Sequence, residues 1–401
     1  MLNITGLDQK GITSRLFESL PANIVIQDVE QVVVQGILTL AVLVELTSDQ
    51  DPSTIADNVR KDLLPLGIQV SSEVTNSNEN SPHTELVITV LGSPLQGDAL
   101  SKIAQIVVNS GANIDRIERI AAYPVTALEI KVSQGEISSL RRSLAAAANE
   151  HGFDIAVQSS GLNRRGRQLV VMDVDSTVIQ DEVVELLANH AGVGGKVKEI
   201  TDRAMAGEID FAQSLRERVA LLEGLPEIIF DEVYKEIRLT PGARTLCRVL
   251  KNLDFHIALV SGGFTQVVEP LGEMLNVDHI KANMLEVVEG KLTGKVIGDI
   301  VDRPGKAEAL RQFAKDHHIP LNRTIAIGDG ANDLDMLDAA GLGIAFNAKP
   351  IVRNAADASV NVPYLDSVLY FLGITRAEIE KFDADSGHST QYKDIHHTHS
   401  H

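Results

Sequence analysis

A single cysteine, Cys247, no tryptophan and an aromatic share of 4% are the scarcest features of this 401-residue chain. One thiol excludes an intrachain disulfide and suits a reducing compartment. Cys247 sits in the helical-looking run Arg244 to Leu250, so an inert core residue is expected there rather than a nucleophile. No apolar run reaches the roughly 20 residues that cross a bilayer. The N-terminus reads directly as strand and turn, with no basic-then-apolar leader, and a soluble cytoplasmic protein is expected. Positive charge is also short, since 36 Lys and Arg against 55 Asp and Glu leave a formal charge of −19. That balance argues against binding to nucleic acid or to an anionic membrane, both of which need a positive surface. What is present is an ordinary globular composition, 44% hydrophobic, in a length that allows two or three domains.

Apolar patterning divides the chain into three segments. Leu2 to Thr5 reads as a strand, and the turn from Gly6 to Gly11 opens a helix with Ile12, Leu16, Phe17 and Leu20 on one face. Strands at Asn23 to Val34 and Leu38 to Leu46, a helix from Pro52 to Leu66 and a strand from Ile68 to Val74 complete a βαββαβ order. Thr75 to Pro82 is a polar linker by composition. The same order then recurs: strand Thr84 to Leu91, helix Gly97 to Ser110, strands Asn113 to Ala121 and Thr126 to Val132, helix Glu136 to Glu150, strand Phe153 to Gln158. A six-element order repeated at about 80 residues is an internal duplication of the ferredoxin-like split-βαβ arrangement. Two α+β domains are expected, at 1–76 and 82–159.

Asp8 and Gly11-Ile12, after the first strand, resemble the opening of an ACT domain, a small module that binds amino acids in biosynthetic enzymes. The resemblance implies an amino-acid effector and a homodimer. The second copy has Leu91-Gly92-Ser93-Pro94 in place of that turn, which puts ligand binding there in doubt. Modules that only mediate dimerisation remain an open reading of both copies.

The third segment, 166–382, alternates short apolar strands with helical stretches. The strand candidates are Leu169 to Met172, His256 to Val260, Thr324 to Ile327 and Gly343 to Phe346. Continuous apolar runs of this kind indicate a buried parallel sheet, hence a doubly wound α/β fold. A helical insert at about 182–239 reads as a cap. Residues 383–401 are polar and are expected to form a disordered tail, with metal binding by His396, His397, His399 and His401 as the alternative.

Every distinctive polar motif of this segment follows a strand, and in open α/β sheets the carboxyl ends of the strands form the ligand crevice. Asp173 and Asp175 at the end of a buried strand need a compensating cation or proton, although a capping turn explains the pair in isolation. Ser261-Gly262-Gly263 offers a hydroxyl and closely approaching amides to a phosphate, or is a plain tight turn. Lys306 opens a helix whose N-terminus favours anions, though a lone lysine is ordinarily solvated. Gly328 to Asp335 clusters hard oxygen ligands, Asp329, Asn332 and Asp333 among them, that suit magnesium better than zinc.

These four motifs, in this order, resemble the haloacid dehalogenase superfamily. The resemblance implies Asp173 as the nucleophile that accepts a phosphoryl group and Asp175 as the general acid and base. It implies Mg2+ held by Asp173, the backbone carbonyl of Asp175 and Asp329. Ser261, Gly262 and Lys306 would hold phosphoryl oxygens, with Asn332 and Asp333 in support. Within the cap, Asp181-Glu182 and the run from Met205 through Phe211 to Arg218 resemble the phosphoserine phosphatase family. By that resemblance Glu182 pairs with a substrate ammonium, Arg218 with its carboxylate, and Met205 and Phe211 wall the pocket. A helix-start charge at Glu182 and a solvated Arg218 are the plainer readings. A phosphatase of another small phosphate ester, a homoserine phosphotransferase and a non-catalytic amino-acid sensor share parts of the pattern.

Overall fold

Alternating apolar residues build the first of two units, Met1–Ser81. Strands β1 (Leu2–Leu7), β2 (Val25–Val34), β3 (Ile37–Glu45) and β4 (Gln69–Ser72) form an antiparallel sheet in the order β2-β3-β1-β4. Leu38, Leu40 and Val42 share one face of β3 and pack on helices α1 (Ile12–Glu18) and α2 (Pro52–Leu63). The Asp51 carboxylate accepts from the Thr54 amide to start α2, with Pro52 in its first turn. Phe17 departs from expectation. It is 37% exposed, because Ile12 and Leu16 define the buried stripe and the next position rotates off it. All ten residues of β2 are exposed, along one edge of the sheet.

The computed structural model describes residues 1–75 and 85–387, apart from the side chains of Asn163, Arg165 and Met205. Most of the expected linker and the histidine-rich stretch of the expected tail lie outside the described residues. The tail boundary at 382 needs correction: a C-terminal helix runs Arg376–Asp385, and Asp383 is buried and paired with Arg248.

The second unit, Pro82–His401, opens with β5 (Leu86–Gly92), α3 (Gly97–Asn109), β6 (Asn113–Ala121), β7 (Thr126–Ser133), α4 (Ile137–His151) and β8 (Asp154–Ser159). Its strand order, β8-β5-β7-β6, repeats that of the first unit. After the short α5 (Leu162–Arg165), β9 (Leu169–Met172) leads into four cap helices: α6 (Val183–His190), α7 (Gly194–Met205), α8 (Phe211–Ala220) and α9 (Ile229–Glu236). Then follow α10 (Ala243–Asn252), β10 (His256–Phe264), α11 (Thr265–Leu275), β11 (His279–Val288), β12 (Lys291–Ile297), α12 (Arg303–Asp316), β13 (Thr324–Gly328), α13 (Leu334–Ala339), β14 (Leu342–Phe346), α14 (Pro350–Ala355) and β15 (Ala358–Val360). Strands β11-β10-β9-β13-β14-β15 are parallel, and β12 lies antiparallel on β11. Val170 and Met172 enter one apolar core, Leu169 and Val171 the other, so both faces of the sheet are covered. This is the doubly wound α/β core that the buried strands imply.

Two features depart from the sequence reading. The hairpin β11–β12 is additional, since its partly buried strands lack a continuous apolar run. The second ferredoxin-like copy also shares one 11-stranded sheet with the doubly wound core, because the three-residue β15 pairs antiparallel with β8 at Ala358 and Ala156. Among the described residues no helix is long and apolar enough to cross a membrane.

Candidate active site

The carboxyl ends of three adjacent strands, β10, β9 and β13, carry three of the four motifs. Asp173 follows β9 directly, its amide donating to Ile327 O of β13 at 2.9 Å. Ser176, at φ 58°, turns the chain sharply, and the Val183 amide at the start of α6 donates to Asp175 Oδ1 at 2.8 Å. The Ser261 hydroxyl, at the irregular end of β10, donates to Asp175 Oδ2 at 3.1 Å and accepts from the Gly263 amide at 2.8 Å. A methyl group on Gly263 would stand 2.9 Å from Asp175 Oδ2, so the turn admits only glycine without displacing that carboxylate.

The fourth motif side chain, Lys306, comes from the first turns of α12, where Asp302 accepts from the Gly305 amide. Lys306 is 1% exposed, and its Nζ lies 2.7 Å from both Asp173 Oδ1 and Asp333 Oδ1. Asp333 Oδ2 accepts from the Gly330 amide at 2.9 Å. Burial alone would lower the Lys306 pKa, but Asp173 and Asp333 outweigh it and hold the ammonium charged. Burial, followed by the charge on Asp333, pushes the Asp173 carboxyl well up despite Lys306. Burial likewise raises Asp175, and with Asp333 it lifts Asp329 to about 6. The cluster carries more negative than positive charge, a field that favours a cation.

The donor set fits a hard cation. Carboxylate oxygens of Asp173, Asp329 and Asp333 lie within 4.8 Å of one another. Both oxygens of Asp333 are engaged, by Lys306 and by Gly330, which leaves Asp173 and Asp329 as the carboxylates able to hold a divalent metal. The Thr177 hydroxyl donates to Asp329 Oδ1 at 3.4 Å and orients it.

A cavity of about 560 Å³ opens over these groups, with Asp173, Asp175, Gly262, Asp329 and Asn332 on one side. The cap supplies Glu182, Phe211 and Arg218 to the same cavity. Glu182 occupies the N-cap position of α6 without capping it; its carboxylate instead accepts from Ser176 Oγ at 2.9 Å. Burial, then the neighbouring Asp175, raises Glu182 to about 7. The Arg218 Nε donates to Ser214 O at 3.3 Å, and burial lowers its pKa against the pull of Glu182 and Asp175. Phe211 begins α8, which Asp210 caps, and a methyl group on Gly262 would meet its ring at 3.0 Å. Met205 ends α7, and its side chain lies outside the described residues. Ser261 and Lys306 are buried beside the cavity rather than among its lining groups. Asp335, the last residue of the 328–335 motif, pairs with Arg303 at the surface and does not line the cavity.

Asn283, 1% exposed, is a site residue that sequence reasoning missed. Its Nδ2 donates to Gly262 O and its Oδ1 accepts from the Val301 amide, both at 2.8 Å, which fixes the Ser261 turn. No motif surrounds it, so only the pairing of β10 with β11 could reveal it. Cys247, far from this chemistry in kind, is 2% exposed, and burial pushes its thiol up to about 12, as suits an inert core residue.

Residues 170–338 match the haloacid dehalogenase-like hydrolase family, and residues 1–73 and 82–158 each match an ACT domain family. The chain is similar to the phosphoserine phosphatase of Streptomyces coelicolor, with 52% identity over 96% of this chain and 94% of that protein. It is also similar to the phosphoserine phosphatase of Mycobacterium tuberculosis, with 49% identity over 96% of this chain and 95% of that protein. Among solved structures, an unliganded probable phosphoserine phosphatase from Vibrio cholerae superposes with a TM-score of 0.59 at 34% identity, covering 75% of this chain and 89% of that one.

Proposed function

The chain belongs to the phosphoserine phosphatase family of haloacid dehalogenase-like hydrolases, and on that premise we propose that it hydrolyses O-phospho-L-serine to L-serine and phosphate through a phospho-aspartyl intermediate on Asp173. One observation carries the reading: a single cavity holds the Asp173–Asp175 pair together with an acidic and a basic cap residue, Glu182 and Arg218. A zwitterionic amino acid esterified to phosphate presents the complementary groups, an ammonium for Glu182 and a carboxylate for the fork of Arg218.

In the proposed first step Asp173 attacks phosphorus, the ester P–O bond breaks, and protonated Asp175 delivers its proton to the serine oxygen. The raised pKa of Asp175 supports that starting state. In the second step Asp175 takes a proton from water, whose oxygen attacks phosphorus and releases phosphate from Asp173. Lys306 keeps Asp173 oriented and balances part of its charge, while Ser261 exchanges its bond to Asp175 for a phosphoryl oxygen. Asn332 lines the cavity beside the metal carboxylates and supports them, as does Asp333 through Lys306. Phe211, which lines the cavity, walls the leaving group.

Magnesium is the proposed metal, held by Asp173, Asp329 and the Asp175 backbone carbonyl, because the donors are oxygens. When bound, it supplies positive charge that offsets repulsion between the nucleophile and the phosphate. The same reading makes this the last step of serine biosynthesis, in the cytoplasm, with an amino-acid effector acting at the ACT domains. A homodimer belongs to it too, supported by the exposed edge strand β2 with Val29, Val32 and Val34.

The test is magnesium-dependent phosphate release from O-phospho-L-serine, O-phospho-L-threonine and homoserine phosphate. Phosphoserine is expected to give the highest kcat/KM, and Asp173→Asn to lower it by at least about 10³-fold. Preference for another ester, or activity retained by Asp173→Asn, would reject the reading.

A further inference from the structure

A second, basic cavity of about 240 Å³ lies where the second ACT copy meets the hydrolase core. Ser138, Arg141 and Arg142 line it from α4, and Arg353 and Ser359 from α14 and β15. Ser138, Arg141 and Arg142 recur at spacings of three and four, so one face of α4 is turned to the cavity. Three guanidinium groups around so small a space are unexpected in a chain of net charge −19.

One carboxylate, Asp357, lines the cavity, and it is already engaged. Arg141 pairs with its Oδ1, and the Gly343 amide donates to its Oδ2 at 3.1 Å. Arg141 also donates Nε to Val157 O at 2.9 Å. Glu136 senses the charge of Arg142 and Asp154 that of Arg353, but neither guanidinium forms an ion pair among the described residues. Arg353 Nε is buried with no hydrogen-bond partner. A desolvated donor without an acceptor is costly, and a native structure that keeps one has a reason for it.

We propose that this cavity is a second anion site, which takes a small phosphate-class dianion between Arg142 and Arg353. Two guanidinium groups that form no direct ion pair match two negative charges, and the forked donors suit phosphoryl oxygens. The Ser359 hydroxyl can donate to an oxygen that remains. Helix α14 joins the two cavities: Lys349, Ile351 and Val352, at and just before it, line the catalytic one, while Arg353 lines the second. An anion that draws on Arg353 therefore acts on a helix that also walls the substrate. That consequence for activity rests on the phosphatase reading; the binding itself does not.

The full-length protein, with magnesium present, is titrated by calorimetry with inorganic phosphate and, separately, with methylphosphonate as a mimic of a phosphate ester. Two binding events are expected for phosphate, one at each cavity. Arg142→Ala and Arg353→Lys should each weaken one of them about tenfold or more and leave the other unchanged. Arg142 is exposed, so its variant keeps the test decisive if Arg353→Lys does not fold. Displacement of the Arg-dependent event by methylphosphonate assigns the site to phosphate esters as well, and its absence to free phosphate. The absence of any binding event that Arg142→Ala and Arg353→Lys weaken overturns the proposal. The titration involves no turnover, so its outcome is independent of which ester the enzyme hydrolyses.

Discussion

Lys306 sets the electrostatics of the aspartate cluster, because its ammonium is the buried positive charge between Asp173 and Asp333. Around it, single atoms decide reactivity. Gly263→Ala brings a methyl group to 2.9 Å from Asp175 Oδ2, so the carboxylate must move. The expected result is a kcat lowered by about 10²-fold with magnesium affinity unchanged, measured by steady-state kinetics and metal titration. Glu182 gives a pH signature. Burial and Asp175 hold its pKa at about 7, so it is mostly neutral below that pH and mostly ionised above it. An ammonium partner needs the ionised form, and KM for phosphoserine should therefore rise as pH falls through about 7. Glu182→Gln should show a KM about tenfold higher at pH 8 and no such pH dependence. A native KM that stays flat across this range contradicts the role.

At the scale of elements, the end of β10 is the part most dependent on a neighbour. The register between β10 and β11 shifts between Val260 and Phe264, and Asn283 of β11 bridges the irregular stretch. Asn283→Ala leaves Gly262 O and the Val301 amide without their partner, at an expected cost of about 1–3 kcal/mol in urea unfolding. The loosened Ser261 turn should lower kcat more than it raises KM. Helix α6 is similarly tied to chemistry, since Asp175 rather than a dedicated capping residue accepts from its first amide. Rearranging Asp175 therefore moves the start of the cap.

At the scale of the molecule, the second ACT copy and the hydrolase core are one body. Arg164, 5% exposed, pairs with Glu129 of β7 at 2.8 Å and donates to Phe371 O at 3.0 Å. Gln158 donates to the same carbonyl at 2.8 Å. Arg164→Ala strands a buried carboxylate, and unfolding free energy should fall by about 3–5 kcal/mol. Replacing both partners, Arg164→Met with Glu129→Leu, should recover most of that loss. An Arg164→Ala protein as stable as the native one in urea would show that the junction contributes little.

The sequence by itself determined the duplication, the buried parallel strands and the four motifs, because each is a local pattern: a period, a run, or residues a few positions apart. Asp173, Asp175, Ser261, Lys306 and Asp329 were legible for that reason, and their strand-end placement made convergence an expectation. Tertiary structure alone decided what depends on pairing between distant elements. The three-residue β15 is too short to announce itself, yet through it one sheet joins the second ACT copy to the core. Asn283 carries no motif, and its role exists only because β11 lies beside β10. The spending of both Asp333 oxygens on Lys306 and Gly330, which narrows the metal carboxylates to Asp173 and Asp329, is likewise a fact of three-dimensional distance. Local propensity writes elements and motifs; long-range hydrogen bonds and burial decide which groups remain free to act.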